Sequence, residues 1–284
     1  EILFRTKLSE NLFKGLAPWL SRLPGGLIHV NVVGCALFAA ISGSSAATVA
    51  TVGKMSIPEL RKRNYPEKLL LGSLAGSGTL GLLIPPSIIL IIYGVTVQES
   101  IAKLFIAGII PGIMLAIFFM LYVIGWSVLN KNIMPKMDET FSFFQKIKQS
   151  GQLLPVIVLI LAVIGSIYVG IATATEAASL GVVGALILSF FQKSLNKETF
   201  KLSLLGATKT SCMIAFILAG SSFLSLAMGF TGLPRNLAIW INEMGLSPYV
   251  LIMVLTLFYI ILGMFLDGIS AVVLTMAIIE PMIR

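Results

Sequence analysis

The sequence predicts an all-α, polytopic membrane protein with inverted repeats, two re-entrant helical hairpins and a broken helix. Of its 284 residues, 57% are hydrophobic and 11% are charged, whereas a soluble domain typically has about 25% charged residues. The apolar runs are continuous, while the strands of a membrane β-barrel alternate in polarity over about ten residues. These observations exclude a soluble globular domain and an outer-membrane barrel.

The net charge of +8 would suggest a nucleic-acid partner in a soluble protein, but the distribution of the charge indicates membrane topology. The basic residues form four clusters between apolar segments, which we interpret as loops. An excess of Lys and Arg marks the cytoplasmic side of a membrane protein. The clusters are Arg5, Lys7, Lys14 and Arg22; Lys54, Arg61, Lys62, Arg63 and Lys68; Lys131, Lys136, Lys146 and Lys148; and Lys193, Lys197, Lys201 and Lys209. We therefore expect a lipid bilayer as the partner and no nucleic acid.

The first predicted hairpin spans residues 25–57 and has a polar tip, Ser42-Gly43-Ser44-Ser45, inside an uncharged apolar run. The arm before the tip, Leu27–Ile41, reaches only about 20 Å at about 1.5 Å per helical residue. This is less than the hydrocarbon core, which is about 30 Å thick. Non-helical backbone at that depth is tolerated only where it is buried in protein or lines a watery cavity. The tip is therefore a candidate site for an ion or a polar solute.

A broken helix is predicted over residues 66–96. Its middle part contains four glycines, followed by the adjacent Pro85 and Pro86. Prolines have no amide donor, and glycine loses backbone entropy in a helix. The sequence predicts an unwound segment from about Gly78 to Pro86.

The predicted organisation is a pair of repeats. The chain opens on Glu1, and we expect it to be a segment of a longer protein. The predicted parts are an amphipathic interfacial helix, 1–24; a first repeat, 25–129, with hairpin 25–57, broken helix 66–96 and helix 101–129; a cytoplasmic loop, 130–151; and a truncated second repeat, 152–284, with helices 153–171, 177–191 and 206–233, connector 234–247 and hairpin 248–284. Five crossings separate the hairpins, and because five is odd the second hairpin opens to the opposite face. Inverted repeats with discontinuous helices are typical of secondary transporters.

The first predicted sodium site joins the hairpin tip to the break. Sodium is a hard cation, and unwound backbone supplies carbonyl oxygens at the ends of half helices. The tip residues Ser42, Gly43, Ser44 and Ser45 can face Gly78, Thr79 and Gly81. The alternative is that the small residues only allow close helix packing.

Asp267 is the one carboxylate deep in an apolar span, where an unpaired charge is costly. We assign it to a second cation site with Gly268 and Ser270. A structural role at a helix N-terminus and direct substrate contact remain the alternatives. A transition-metal site is not expected, because the lone His29 has no Cys, His or acidic residue at ligand spacing. A hydrogen-bonded packing role is expected for His29 instead.

Two charged residues near the external face have alternative roles. Arg235 could attract a carboxylate, but its position after Pro234 favours a snorkelling anchor. Glu176 lies in a turn with hydroxyl neighbours, and helix capping is favoured over ligand binding.

Four stretches resemble the large membrane subunit of the tripartite ATP-independent periplasmic (TRAP) transporters. They are Gly25–Asn31 leading into Ile41–Ala47, Gly78–Ser87 with Tyr93-Gly94, Ala172–Ala178, and Gly263–Gly268. The family subunit is longer at both ends, and its second broken helix follows the second hairpin, beyond Arg284.

This resemblance implies an elevator-type, sodium-coupled symporter rather than an enzyme, located in the bacterial inner membrane. Sodium would be the coupling ion, with no other cofactor. The implied partners are a small Q-type membrane subunit, separate or fused, and a periplasmic substrate-binding protein. The implied substrate is an acidic metabolite of the sialic acid or C4-dicarboxylate class. Candidate substrate-binding residues are Ser44, Ser45, Thr79, Pro85, Asp267 and Arg235.

Three alternative functions differ in what they require of the chain. An intramembrane protease would need a base for a serine nucleophile such as Ser44, or a second carboxylate beside Asp267, and neither is present at depth. A channel or structural subunit would work without a binding protein and without a sodium gradient. A divalent-anion sodium symporter would need sodium but no binding protein.

Overall fold

A computed structural model describes residues 1–5, 8–135, 142–151 and 153–283 of the chain. Within these ranges the chain forms a 3₁₀ turn at Leu3–Arg5, fourteen α-helices and no β-strand, which confirms the all-α prediction. The helices are α1 Leu8–Leu20, α2 Ile28–Ser42, α3 Ser45–Lys62, α4 Glu67–Gly78, α5 Leu80–Leu83, α6 Ile88–Val97, α7 Ile101–Leu129, α8 Phe143–Ser150, α9 Leu154–Tyr168, α10 Ala174–Phe191, α11 Lys197–Thr231, α12 Leu233–Glu243, α13 Pro248–Gly263 and α14 Gly268–Ile283. Parts of the predicted helix 1–24 and loop 130–151, including Lys7 and Lys136, lie outside the described residues.

The chain divides into two compact units. The first comprises Glu1–Leu90 and Ile101–Gly206, and the second comprises Ile91–Ser100 and Ala207–Arg284. The two predicted repeats, 25–129 and 152–284, remain a prediction.

The first hairpin is interrupted at Gly43 and Ser44. Gly43 ends α2 in the left-handed region, at a φ of 59°, which glycine adopts without steric cost. Ser44 is extended, and its side chain accepts a hydrogen bond from the Ala47 amide at the start of α3. A Cβ on Gly34 would lie 3.6 Å from Val52 Cγ1, so residues nine before and nine after Gly43 face each other. Residues 25–57 therefore form two packed arms rather than one unbroken helix.

The broken helix is interrupted over a shorter stretch than predicted. Thr79 keeps helical backbone angles, and α5 adds one further turn. The non-helical part is residues 84–87, and the two halves meet at a bend of 40°. The prediction that unwinding begins at Gly78 was wrong, because the missing donors of Pro85 and Pro86 interrupt the helix while the glycines are accommodated within it.

Several predicted loops are helical. Lys54, Arg61 and Lys62 lie on α3, which continues to Lys62, five residues past the predicted end of the hairpin. Lys146 and Lys148 lie on α8, and Lys197, Lys201 and Lys209 lie on α11, which begins nine residues before the predicted 206. Lysine has good helix propensity, so a basic cluster beside an apolar segment does not end a helix.

The described residues contain candidates for the five predicted crossings between the hairpins, which remain a prediction. Three helices, α7, α10 and α11, are long and apolar enough to cross a membrane by themselves. Two bent pairs, Glu67–Leu83 with Ile88–Thr96 and α8 with α9, pass the same test only when joined, which gives up to five spans if each pair is one span. The hairpin arms α2 and α13 have only 15 and 16 residues. The described helices are therefore consistent with a polytopic membrane protein.

The start of α10 confirms the capping role expected for Glu176. The Thr173 hydroxyl accepts from the Glu176 amide at 3.3 Å, and Glu176 Oε2 accepts from the Thr173 amide at 2.8 Å. This reciprocal capping box starts the helix at Ala174, three residues before the predicted 177.

In the second unit, α13 and α14 also fold back on each other. The hydroxyls of Tyr259 and Thr275, eight residues before and after Asp267, are 2.6 Å apart. The Ser221 hydroxyl on α11 donates to the Val273 carbonyl at 2.9 Å and fixes α14 to that helix. The predicted hairpin 248–284 therefore has a helical break at residues 264–267.

Replacing Tyr65 with Phe should lower the free energy of unfolding by about 1–3 kcal/mol, because the buried Leu27 amide would lose its acceptor. The Tyr65 hydroxyl accepts from that amide at 3.0 Å and ties the start of α2 to the connection between α3 and α4. Thermal unfolding of the purified full-length transporter in detergent measures the effect.

Tyr168→Phe is the matched control, because the Tyr168 hydroxyl is shielded and has no hydrogen-bond partner among the described residues. Its removal should leave stability unchanged or slightly raised. Equal losses in the two variants would contradict the assigned role of Tyr65.

Candidate functional site

The tip of the first hairpin directly contacts the break between α5 and α6 in the broken helix. The Gly43 carbonyl accepts a hydrogen bond of 3.2 Å from the amide of Ile88, the first residue of α6. A Cβ on Gly43 would lie 2.8 Å from the Pro86 carbonyl oxygen. The two non-helical segments therefore meet backbone to backbone, with no room for a side chain between them.

Two further glycines bring the broken helix against the hairpin. A Cβ on Gly81 would lie 2.9 Å from the Ser44 carbonyl oxygen and 3.0 Å from the Ser45 amide nitrogen. A Cβ on Gly78 would lie 2.0 Å from Val49 Cγ2. The same Cβ on Gly78 would lie 3.7 Å from the Ser45 carbonyl oxygen. The structure thus brings together four of the residues predicted for the first sodium site, Ser44, Ser45, Gly78 and Gly81.

Hydroxyl groups surround the tip. The Thr48 hydroxyl donates to the Ser44 carbonyl at 2.7 Å, and the same carbonyl accepts the Thr48 amide at 3.0 Å. The Ser42 and Thr48 hydroxyl oxygens are 2.8 Å apart. The Ser44 carbonyl is therefore occupied by donors from its own hairpin, whereas the described residues give the Gly43 carbonyl one donor, the Ile88 amide.

Thr79 and Pro85 differ in accessibility. The Thr79 side chain is exposed, and its hydroxyl donates to the Gly76 carbonyl at 2.7 Å. A hydroxyl that donates still has lone pairs on its oxygen that can accept or coordinate. Pro85 is buried, and a Cβ on Gly108 of α7 would lie 3.5 Å from its ring.

A glycine pair on α7 supports the break and was missed from the sequence. A Cβ on Gly108 would lie 2.8 Å from the Leu83 carbonyl oxygen, and one on Gly112 would lie 2.9 Å from Ile84 Cγ1. Glycines four residues apart allow close helix approach in membranes. This spacing was the signal in the sequence, and α7 itself runs through Pro111 as one helix.

A buried polar seam between α2 and α4 was also missed. The Asn31 side-chain amide donates to the Leu70 carbonyl at 3.3 Å and to the Ser73 hydroxyl at 3.0 Å. The Ser77 hydroxyl lies 3.4 Å from the Asn31 carbonyl. An asparagine in an apolar helix is the signal for such a contact, since a buried amide needs partners. The seam aligns the hairpin with the first half of the broken helix.

The hydrogen-bonded packing role expected for His29 is confirmed. Its ring is fully buried, and Nε2 lies 2.8 Å from the Pro24 carbonyl oxygen. The histidine therefore fixes the chain that enters α2.

Asp267, in the second unit, caps α14. Its Oδ2 accepts from the amides of Ile269 and Ser270 at 3.1 and 3.3 Å. An acidic group is favourable there because a helix N-terminus carries partial positive charge. The alternative role of Asp267, as a structural cap at a helix N-terminus, thus has structural support. Gly268 is the first residue of α14, and the Asp267 side chain is exposed.

Capping does not exclude cation binding by Asp267. An ionised carboxylate has about four acceptor positions on two oxygens, and both amide hydrogen bonds use Oδ2. Arg235 is exposed on α12, where its expected role as an interfacial anchor remains a prediction.

Gly81→Ala should destabilise the transporter by about 1–3 kcal/mol, because the new methyl group would displace the Ser44 backbone rather than a flexible side chain. Gly72→Ala is the control on the adjoining helix α4, since nothing lies within 4 Å of a Cβ there. That change should be neutral or should stabilise by up to about 1 kcal/mol. Thermal unfolding of both variants provides the comparison, and equal midpoints would contradict the close contact.

Comparison with known proteins agrees with the motifs. Residues 1–284 match the family model described as "Tripartite ATP-independent periplasmic transporter, DctM component". The chain is similar to the C4-dicarboxylate TRAP transporter large permease protein DctM of Pseudomonas aeruginosa, with 34% identity over 91% of the chain and 60% of the relative. The protein of the same name from Rhodobacter capsulatus is 33% identical over 90% of the chain and 61% of the relative.

A third relative is the isethionate TRAP transporter permease protein DctMQ of Oleidesulfovibrio alaskensis, with 31% identity over 97% of the chain and 43% of the relative. The chain thus spans about three fifths or less of the length of these three relatives. The match over all 284 residues shows that the chain belongs to the DctM family of large TRAP transporter permease components, as its four motifs predicted.

Proposed function

We propose that this chain forms part of a sodium-coupled symporter that imports an acidic metabolite across the bacterial inner membrane. A periplasmic substrate-binding protein would deliver the metabolite, and the transport step would follow an elevator mechanism. Membership of a family of membrane-integral transporter components supports transport rather than enzymatic activity.

The contact between the hairpin tip and the break between α5 and α6 is the observation that carries this proposal. The Gly43 carbonyl and the Ile88 amide join two interrupted helices at their non-helical residues. Such interruptions in secondary transporters present carbonyl groups to coupling ions and amide groups to anionic substrates. A subunit that only filled the membrane would not need two adjoining breaks.

The oxygens around this contact are the proposed ligands of a first sodium ion. Candidates are the carbonyl of Gly43 and the hydroxyls of Ser44, Ser45 and Thr79, with Ser42 shaping the tip. For Gly78 and Gly81 the geometry supports close packing, since the hairpin fills the space that a side chain would occupy. These glycines would thus position the sodium ligands by close packing and would not coordinate the ion themselves.

Asp267 is proposed as a ligand of a second sodium ion, with Gly268 and Ser270. The cap on α14 orients the carboxylate through two backbone amides. An oriented carboxylate loses less entropy when it coordinates a cation than a freely rotating one.

The proposed substrate is a small organic anion, and the names of two relatives favour a C4-dicarboxylate for the first test. Sialic acid and isethionate belong in the same panel, the latter because of a third relative. The name DctMQ of that relative also fits the expected Q-type membrane subunit, separate or fused. The proposed substrate contacts remain Ser44, Ser45, Thr79, Asp267 and Arg235. Pro85 is buried, so we assign it the role of interrupting the helix.

Uptake into proteoliposomes tests the function. The full-length transporter and its small subunit are reconstituted, and labelled acids are offered with and without a sodium gradient and a binding protein. The proposal expects uptake only when both are present. Sodium-dependent uptake of free acid would indicate a divalent-anion symporter, and flux without either would indicate a channel.

Ser44→Ala should raise the sodium concentration for half-maximal uptake by about tenfold, since an interaction with a charged group contributes about 1.5 kcal/mol or more. The change also removes the cap of α3, so Ser247→Ala is the control. Ser247 caps α13 through the Val250 amide at 3.4 Å, which matches the 3.5 Å contact of Ser44 with Ala47. A sodium titration of uptake compares the variants.

Thr79→Val belongs to the same titration, with Thr256→Val as its control. Both hydroxyls are exposed and donate to a carbonyl of their own helix at 2.7 Å. Unshifted curves for Ser44→Ala and Thr79→Val would show that neither hydroxyl contributes to the ion site.

Asp267→Asn should weaken the sodium dependence of uptake more than it weakens docking of the binding protein. Asparagine also caps helices well, so this substitution keeps the start of α14 and removes only the charge. Initial uptake rates over a range of sodium concentrations, with a docking assay in parallel, give the two readouts. Unchanged sodium activation would refute the cation role and leave Asp267 as a cap alone.

A further inference from the structure

The short helix α8 exposes an apolar sector bordered by lysines. Phe143, Phe144 and Ile147 are 69%, 75% and 51% exposed. At about 100° per residue, these three side chains cover a sector of about 100°, and Lys146 and Lys148 fall on its two borders. This pattern is typical of a helix that lies in the membrane interface with its lysines directed to the headgroups.

Trp19 of α1 joins this sector and orders one of the lysines. The Trp19 indole nitrogen donates to the Ser150 hydroxyl at 2.6 Å, and its ring meets Phe143 edge-on at 6.4 Å. The Lys146 ammonium lies 5.4 Å from the centre of the Trp19 ring. A cation held over an aromatic ring is pre-positioned for an anion.

The face of α1 that carries Trp19 is fixed to the protein core one helical turn earlier. Leu16 is buried, and a Cβ on Gly15 would lie 2.5 Å from Leu153, directly before α9. Trp19, by contrast, keeps 45% of its surface exposed. The surface formed by Trp19, Phe143, Phe144, Lys146, Ile147 and Lys148, here called the interfacial surface, is therefore firmly mounted on the first unit.

We propose that the interfacial surface binds anionic phospholipids, with the aromatic and aliphatic side chains among the upper acyl chains and the two lysines at the phosphates. Charge favours anionic over zwitterionic headgroups, because each lysine near an anionic membrane surface contributes measurable attraction. The apolar sector favours a lipid over an acidic protein surface, because the lysines border the sector on both sides as they do in helices lying in a headgroup layer. The adjoining apolar helix α9, set at 56° to α8, places this surface next to a proposed membrane span.

Fluorescence of Trp19 tests the proposal in the full-length transporter. The other tryptophans, including Trp126 and Trp240, are replaced by Phe. The protein is reconstituted in phosphatidylcholine vesicles that contain equal mole fractions of either brominated phosphatidylglycerol or brominated phosphatidylcholine. Trp19 should favour the brominated phosphatidylglycerol by about fivefold or more, and molar salt should reduce that preference.

Matched variants separate charge from apolar contact. Lys146→Gln with Lys148→Gln should abolish the headgroup preference, whereas Lys146→Arg with Lys148→Arg should retain it. Lys197→Gln with Lys201→Gln removes the same charge from exposed positions on α11 and should leave the preference intact. Phe143→Ser with Phe144→Ser should reduce quenching by both lipids.

Three results would overturn the proposal. Equal quenching by the two lipids in the parent protein would exclude headgroup selectivity. A preference that survives the double Gln variant of α8 would place the selectivity elsewhere. Quenching by neither lipid would show that protein, rather than lipid, covers the interfacial surface.

Discussion

The hydrogen bond between the Gly43 carbonyl and the Ile88 amide is the constraint on which the first unit depends. Backbone that leaves a helix within a membrane must have its polar groups satisfied by protein or by water in a cavity. Pro85 and Pro86 free the residues around them from the helical pattern, and the glycine at the hairpin tip supplies an acceptor at that place. The amide at one helix interruption thus donates to the carbonyl at the other, so the two breaks stabilise each other.

The surrounding contacts have the same physical character. Gly108 and Gly112 allow the break in the broken helix to pack closely against α7. Asn31 links α2 to α4, and Tyr65 fixes the start of α2. Helices in lipid gain little from apolar burial against each other, because the acyl chains are equally apolar. Close backbone approach and hydrogen bonds therefore carry the specificity of this packing, and single methyl or hydroxyl groups have large effects.

Local chemistry explains which features could be predicted from the sequence. Some helix boundaries depend only on residues that are neighbours in the sequence, and these boundaries can be predicted from the sequence. They are the left-handed glycine before a capping serine, the double proline, and the Thr173–Glu176 capping box. The extent of unwinding around Gly78 was not visible, because Gly78 and Gly81 contact residues 29 to 37 positions earlier in the chain. The partners of Asn31 are 39 and 42 residues distant, and their pairing depends on how α2 packs against α4.

The two hairpin tips differ in charge, and this difference bears on coupling. In the proposed mechanism the first tip offers only neutral oxygens, so a sodium ion bound there leaves a net positive charge in a medium of low dielectric constant. Such a charge attracts an anionic substrate strongly. The second tip carries Asp267, whose charge would balance its own sodium ion and leave no net charge. The uncharged tip would therefore couple sodium to the acid by direct attraction, whereas Asp267 would set the affinity of the second ion.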